Sequence, residues 1–400
     1  RADPPLERAG VGEPRDDDTG STERAPAGQA GGYTGFAQTM DTSVRGELSD
    51  EIVMRVRAPE ADFWRGQTFA EFDGRRWYAD TAIGAQRSGP EIRIPPALGD
   101  TLADGVPVDR FVQTYFAEVD LPNVVFHAYR PTRIILDADV WTRDDGAIRA
   151  STTLPKGAVY TVVSARPQVT ETLLRRQGLI GPRLSSLGRQ VLAPYLEVPE
   201  STTPETIALA AELADGYDTT YDVVRAYERW IGDHVVYDLN APLPDDGEDA
   251  VHDFLFDSRR GFCEQIASAL TIMLRTQGVP ARLATGYAPG TRDRVAGVFE
   301  VRASDAHAWV EVWFPETGWQ AFDPTASVPL AGDATAGSIG GELVGGAAAA
   351  VAASPVLFAS LGGAVFAAVA ALRVLAVVWR RRRRGRWGTL QDRFGTLAGE

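Results

Sequence analysis

Residues 351–379 form an apolar run whose single charge is Arg373, and five arginines, Arg380 to Arg384, follow at once. A membrane-crossing helix needs about 20 apolar residues, so this run is read as a transmembrane helix. No other stretch restricts the chain so much, because whatever precedes it must fold on one side of a bilayer. Basic flanks stay cytoplasmic. The expected topology therefore puts residues 380–400 inside the cell and residues 1–346 outside it, and Arg373 sits near enough to the end to snorkel toward the headgroups.

The charge balance divides at the same place. Of the net −14, the residues from Ala347 onward supply +6, eight arginines against two acids, which leaves −20 for the rest. Nucleic-acid affinity rests on phosphate neutralisation by Lys and Arg, so an acidic body argues against that partner. The chain opens with Arg1 and shows no signal-peptide pattern, and it is read as a piece of a longer protein. Its 400 residues allow two domains and their linkers. One cysteine, Cys263, rules out an intrachain disulfide framework.

Five segments lie in or before that run. Residues 1–32 are charged, rich in Gly and Pro, and too poor in apolar residues to offset ordering entropy, hence a disordered linker. Residues 33–168 turn to short alternating runs, among them 51–57, 109–116 and 159–163, which at period two predict an antiparallel β-rich domain. Phe63-Trp64-Arg65-Gly66 and Asp73-Gly74-Arg75-Arg76-Trp77 set aromatics beside expected turns, with Trp64 and Trp77 packing the sheet face. Residues 169–328 begin with helices. Ser201-Thr202-Thr203-Pro204 offers a capping hydroxyl and a proline at the first helical position, leading a stripe of Ile207, Ala210 and Leu213. A second helix opens at Thr219 or Thr220, and 253–256 closes a short third just before the cysteine. A fourth starts at Cys263 and stops at Gly278 and Pro280. Strands are then expected over 281–287, 298–302, 307–314 and 319–322, with 291–294 in a loop. Helices followed by an antiparallel sheet make an α+β domain. Residues 329–350 are a Gly/Ala linker to the apolar run.

Three residues in this last folded stretch point to chemistry: Cys263, His307 and Asp323. A free thiol has a pKa of about 8.5, and a helix N-terminus or a neighbouring imidazolium brings it to roughly 3.5–7.5. Cys263 lies where a helix begins, so first-turn N–H groups favour a thiolate and can also hold an oxyanion. His307 starts a strand and shares a face with Trp309; Asp323 ends the following strand, where an antiparallel pair brings it to the imidazole. Taken singly, a lone cysteine is usually core, a lone histidine structural, and Asp-Pro-Thr a turn. Taken jointly, each at the end of its predicted element, they read as nucleophile, base and orienting carboxylate. His127, His234 and His252 are rival bases; His127 belongs to the β-rich domain, and neither His234 nor His252 is followed by an acid on a neighbouring strand. No zinc spacing occurs, and no metal or other cofactor is expected.

These motifs carry a family resemblance. Gly261-Phe262-Cys263-Glu264, Arg275-Thr276-Gln277-Gly278-Val279-Pro280-Ala281-Arg282 with Gly286-Tyr287, Asp305-Ala306-His307-Ala308-Trp309-Val310-Glu311-Val312, Gly318-Trp319 and Asp323-Pro324-Thr325 occur in order. Over about 220–326 the chain resembles the bacterial transglutaminase-like superfamily. Its Trp-Arg-Gly and Asp-Gly-Arg-Arg-Trp pieces, more loosely, resemble the extracytoplasmic region of the membrane-anchored TgpA-like branch. The resemblance implies a papain-like α+β core behind a β-rich domain, a Cys-His-Asp triad at Cys263, His307 and Asp323, and thioester chemistry on a glutamine-type amide. It leaves the oxyanion hole open, with Tyr237 the first candidate and Gln265 and Trp309 behind it.

The expected function is acyl transfer by a membrane-anchored, extracytoplasmic enzyme from a protein or peptide substrate. Two alternatives stand beside it: a cysteine peptidase or amidase that passes the same thioester to water, and a membrane-held binding domain without catalysis. Nothing in the sequence bears on oligomeric state or names the natural substrate.

Overall fold

The cysteine helix, Cys263–Thr276, is the core of the fold, and every residue from Cys263 to Arg275 is buried. A helix buried on all sides lies between layers, and its polar residues Glu264, Gln265, Ser268, Thr271 and Arg275 are buried with it. On one side lie helices Pro204–Ala214 and Thr220–His234, and on the other the inner face of a sheet carrying Ala308, Val310 and Val312. The structure, a computed structural model, describes residues 33–42, 48–79, 84–242, 244, 245 and 247–325. The expected linkers 1–32 and 329–350, the transmembrane helix 351–379 and the basic segment 380–400 lie outside the described residues. Among the described residues no helix is long and apolar enough to cross a membrane.

Both ends of the cysteine helix follow from local sequence. Phe262 is extended, and the Gln265 side chain reaches back to accept its N–H at 3.2 Å, one half of a capping box. At the other end Gly278 takes φ +70°, and Val279 donates to the Leu274 carbonyl at 3.1 Å, a left-handed stop that glycine permits. The two neighbouring helices open on the expected threonines. Thr203 caps the first ahead of Pro204, and Thr219 caps the second. The stripe of the first is rotated from expectation. Ile207 is 44% exposed, while Thr206 and Ala210 are buried, because the hydroxyl pair Thr203–Thr206, at 3.0 Å, lets a threonine face the core. The short third helix is a turn, Ala250–His252, running into a wider turn over Asp253–Asp257.

Four strands form the core sheet, in the spatial order Gly318–Phe322, Ala306–Phe314, Ala281–Tyr287, Trp64–Phe69, all antiparallel. Two expectations are corrected here. The strand Val298–Arg302 does not join this sheet. It pairs with Ile52–Arg57 in a seven-stranded sheet, and Phe299 and Val301 bury in that sheet's own core. Its place is taken by Trp64–Phe69, expected beside a turn but in fact a wholly buried strand. Period two states that one face is buried, not which sheet buries it. Residues 291–294, expected as a loop, contain the strand Thr291–Asp293, which makes a hairpin with Val298–Arg302. The turn closes on Asp293, whose carboxylate accepts from Val295 and Ala296.

The 168/169 boundary is therefore crossed in both directions, by an N-terminal strand in the core sheet and by the late hairpin of Thr291–Asp293 and Val298–Arg302 in the β-rich sheet. Gly286 records the crossing: a Cβ there would stand 2.1 Å from the Trp64 carbonyl oxygen. Trp64 packs in the β-rich core with Tyr115 and Phe299. Trp77 packs the face of a small sheet with Met40 and Phe72 and donates to Ser268 of the cysteine helix at 2.7 Å.

Candidate active site

Cys263 is the first residue of its helix and is buried. Its sulfur meets two groups: it donates to the Glu264 carboxylate at 3.1 Å and is hydrogen-bonded to the His307 imidazole. His307 comes from the strand Ala306–Phe314, opposite Gly286 in the sheet. The adjacent strand pairs Phe322 with Val310, and the next residue, Asp323, has its carboxylate on His307 Nε2. The imidazole thus bridges sulfur and carboxylate, and with Nε2 engaged by Asp323 its other nitrogen is left for the sulfur.

Asp323 is itself held. Thr325 donates to its other oxygen from both the backbone N–H and the hydroxyl, each at 2.8 Å. Asp-Pro-Thr is a turn, as its composition suggests, and the turn aims the carboxylate. Burial alone would pull the His307 pKa down; the charge of the Cys263 sulfur and the hydrogen bonds to Asp323 and Cys263 outweigh it and push it up to about 10. A histidine of that basicity retains its proton across the neutral range.

A second charged group lies behind the first, on the same strand face. Glu311 accepts from Arg282 Nε at 2.7 Å and pairs with Arg65 Nε at 3.1 Å, and all three side chains are buried. Both guanidiniums also donate to the Asp145 carbonyl, at 2.6 and 3.2 Å. Burial by itself would raise the Glu311 pKa, but Arg65 and Arg282 hold it below its ordinary value. Glu228, on the neighbouring helix, is pushed up to about 7 by burial, with Asp323 adding to the rise and Arg225 opposing it.

The other expected site residues separate. Tyr237 is 48% exposed, in a two-residue strand paired in parallel with Arg260–Gly261, so it stands beside the chain that enters Cys263. Gln265 is buried and its oxygen caps its own helix. Trp309 is buried against Phe63 and Ala284. Among the rival bases, His127 is enclosed in the protein, bonded to the Ala128 carbonyl at 2.9 Å, and lowered to about 4 by burial and Arg65. His234 stacks on Trp230, and His252 bonds Thr203 at 2.8 Å. Among the described residues no three His, Cys, Asp or Glu side chains gather as a metal site. Sequence reading passed over Glu264, Glu228 and Phe63. Adjacency to the cysteine signals the first; the other two reach the site only through tertiary packing.

Comparison with known proteins agrees with this architecture. Residues 207–324 match the transglutaminase-like superfamily, and residues 13–171 match the TgpA N-terminal domain. Over 312 residues the chain is 31% identical to a protein-glutamine gamma-glutamyltransferase of Pseudomonas aeruginosa, covering 74% of this chain and 41% of that protein. Over 137 residues it is 36% identical to the uncharacterized protein YebA of Bacillus subtilis, covering 33% of this chain and 19% of that one. It thus spans less than half the length of these relatives. The crystal structure of the periplasmic domain of TgpA from Pseudomonas aeruginosa superposes with a TM-score of 0.52 at 28% identity, covering 72% of this chain and 93% of that one. The fold is papain-like and transglutaminase-like, with a β-rich N-terminal region.

Proposed function

This chain carries a transglutaminase-like core behind a TgpA N-terminal domain, and from that premise we propose that it is an acyltransferase working through Cys263, His307 and Asp323. The observation that carries the reading is the continuous contact from sulfur to imidazole to carboxylate at the head of a buried helix. In the first half-reaction the thiolate attacks the carbonyl carbon of a glutamine-type amide. The negative oxygen that forms faces the first-turn N–H groups, with the Tyr237 hydroxyl as a second donor. His307 gives its proton to the departing nitrogen, ammonia leaves, and a thioester remains on Cys263. In the second half-reaction an amine attacks the thioester, His307 takes the amine's proton, and the sulfur departs as thiolate. Asp323 keeps the ring oriented and offsets the imidazolium charge.

The name of the Pseudomonas relative supports transfer from protein glutamine. The test is incorporation of a labelled primary amine into a glutamine-containing peptide. Wild type is expected to label it and Cys263→Ala to lose labelling. Labelling that survives in Cys263→Ala would refute the reading, whereas free acid without amine adduct at high amine would move it to a cysteine amidase or peptidase.

The enzyme is held at the membrane by the 351–379 run, with the catalytic body outside and the arginine cluster inside. The apolar length and the arginines of the sequence support this, as does the periplasmic origin of the similar TgpA domain. Protease added to intact spheroplasts is expected to digest the body; a body that remains protected would reverse the topology.

A further inference from the structure

Phe63 belongs to the β-rich region, yet its ring lies over two side chains of the histidine strand. It stacks on Trp309 at 4.4 Å and 12°, and on His307 at 6.0 Å and 17°. His307 and Trp309 are themselves nearly parallel, 23° apart. We propose that Phe63 is a positioning residue for His307, so that the TgpA N-terminal domain contributes to the site that the core alone has been read to contain. This rests on the triad reading above.

His307 is fixed at Nε2 by Asp323, but a planar ring held at one edge can still swing about its side-chain torsions. The sulfur needs the opposite nitrogen in line, and a misplacement of about 1 Å costs on the order of 100-fold in rate. A parallel aromatic plane against the imidazole face removes that swing, and such pairs contribute beyond their buried area. Phe63 is well placed to act as a fixed plane. Its backbone N–H donates to Asp62 at 2.8 Å, and Asp62 pairs at 3.7 Å with Arg166, near the end of the long strand Val159–Pro167. Immediately after it, Trp64–Phe69 enters the core sheet beside Ala281–Tyr287. The ring is tied to the β-rich region on one side and to the core on the other. Nothing about Phe63 in the sequence indicates this, since its partners lie in the last quarter of the chain.

The experiment separates aromatic plane from apolar bulk. Phe63→Leu keeps an apolar side chain without a plane, and Phe63→Tyr keeps the plane. The readout is the rate of Cys263 alkylation by iodoacetamide from pH 5 to 9, with thermal melting of each variant. At pH 6 the rate is expected to fall roughly 3- to 10-fold in Phe63→Leu, the range spanned by aromatic pair energies. Phe63→Tyr should stay near wild type, with melting temperatures for the two variants alike. Equal rates in Leu, Tyr and wild type would overturn the proposal. So would equal losses in both variants that track a lowered melting temperature, which would mean packing alone. His307→Gln is run beside them. If it leaves alkylation at pH 6 unchanged, the triad reading itself has failed and Phe63 falls with it. If it abolishes reactivity while Phe63→Leu does nothing, only the Phe63 assignment is lost.

Discussion

Replacing Glu311 by Gln tests whether the charge cluster beneath the histidine strand holds the two halves of the protein together. One carboxylate serves two guanidiniums: Arg282, from the core, and Arg65, from the N-terminal strand, at 2.7 and 3.1 Å. Arg282 is shut in further by the Trp319 ring, 4.0 Å beneath it. Glutamine keeps the shape but removes the charge, and leaves two buried cations facing the Asp145 carbonyl. Breaking a buried ion pair from one side costs about 3–5 kcal/mol. With two cations orphaned, the upper part of that range applies. In urea, followed by tryptophan fluorescence, this lowers the midpoint by about 1–2 M. The transition should remain single, because the cluster and the exchanged strands span both regions. The pH dependence supplies a second readout. Glu311 is depressed in the folded state, so below its ordinary value of 4.5 the unfolded chain binds the extra proton and that share of stability is lost. The gap between wild type and Glu311→Gln should therefore close as pH falls below about 4.5. A loss under about 1 kcal/mol, against the several expected, or a gap indifferent to acid, would refute the reasoning.

Three further outcomes are expected. Asp323→Asn removes a charge and a hydrogen bond that sustain the His307 pKa near 10, so kcat for amine incorporation should drop by about 100-fold or more, with KM little changed. Glu228 keeps its proton up to about 7 in the folded state against an ordinary 4.5, so the folded form binds the extra proton between those values and stability falls as pH rises through them. Glu228→Gln should flatten that slope in melting experiments from pH 4.5 to 7, and an unchanged slope would remove the carboxylate from the account. Gly286→Ala sets a methyl against the Trp64 carbonyl and should cost about 1–3 kcal/mol. Faster amide exchange along Trp64–Phe69 would show that this strand is what gives way.

Much of the core was legible because its signals are local. Thr203 and Pro204 start a helix, Gly278 and Pro280 end one, and the strands carrying His307 and leading to Asp323 lie consecutively, so one hairpin brings the two side chains together. What escaped is long-range. In the strand Ala306–Phe314, Ala308, Val310 and Val312 alternate with His307, Trp309 and Glu311, the pattern of a sheet with one wet face. Yet all nine positions are buried. The second face is covered too: Phe63 lies over His307 and Trp309, and Arg65, from the Trp64–Phe69 strand of the same sheet, reaches Glu311 in a buried layer closed by the Asp145 carbonyl. A charge in that layer must be matched by a charge from elsewhere, and a lone strand gives no hint of where the match comes from. The proposed chemistry sits on this covered face, where low polarity strengthens the contacts among sulfur, imidazole and carboxylate. On that ground the β-rich region is part of the reaction's environment as well as its support.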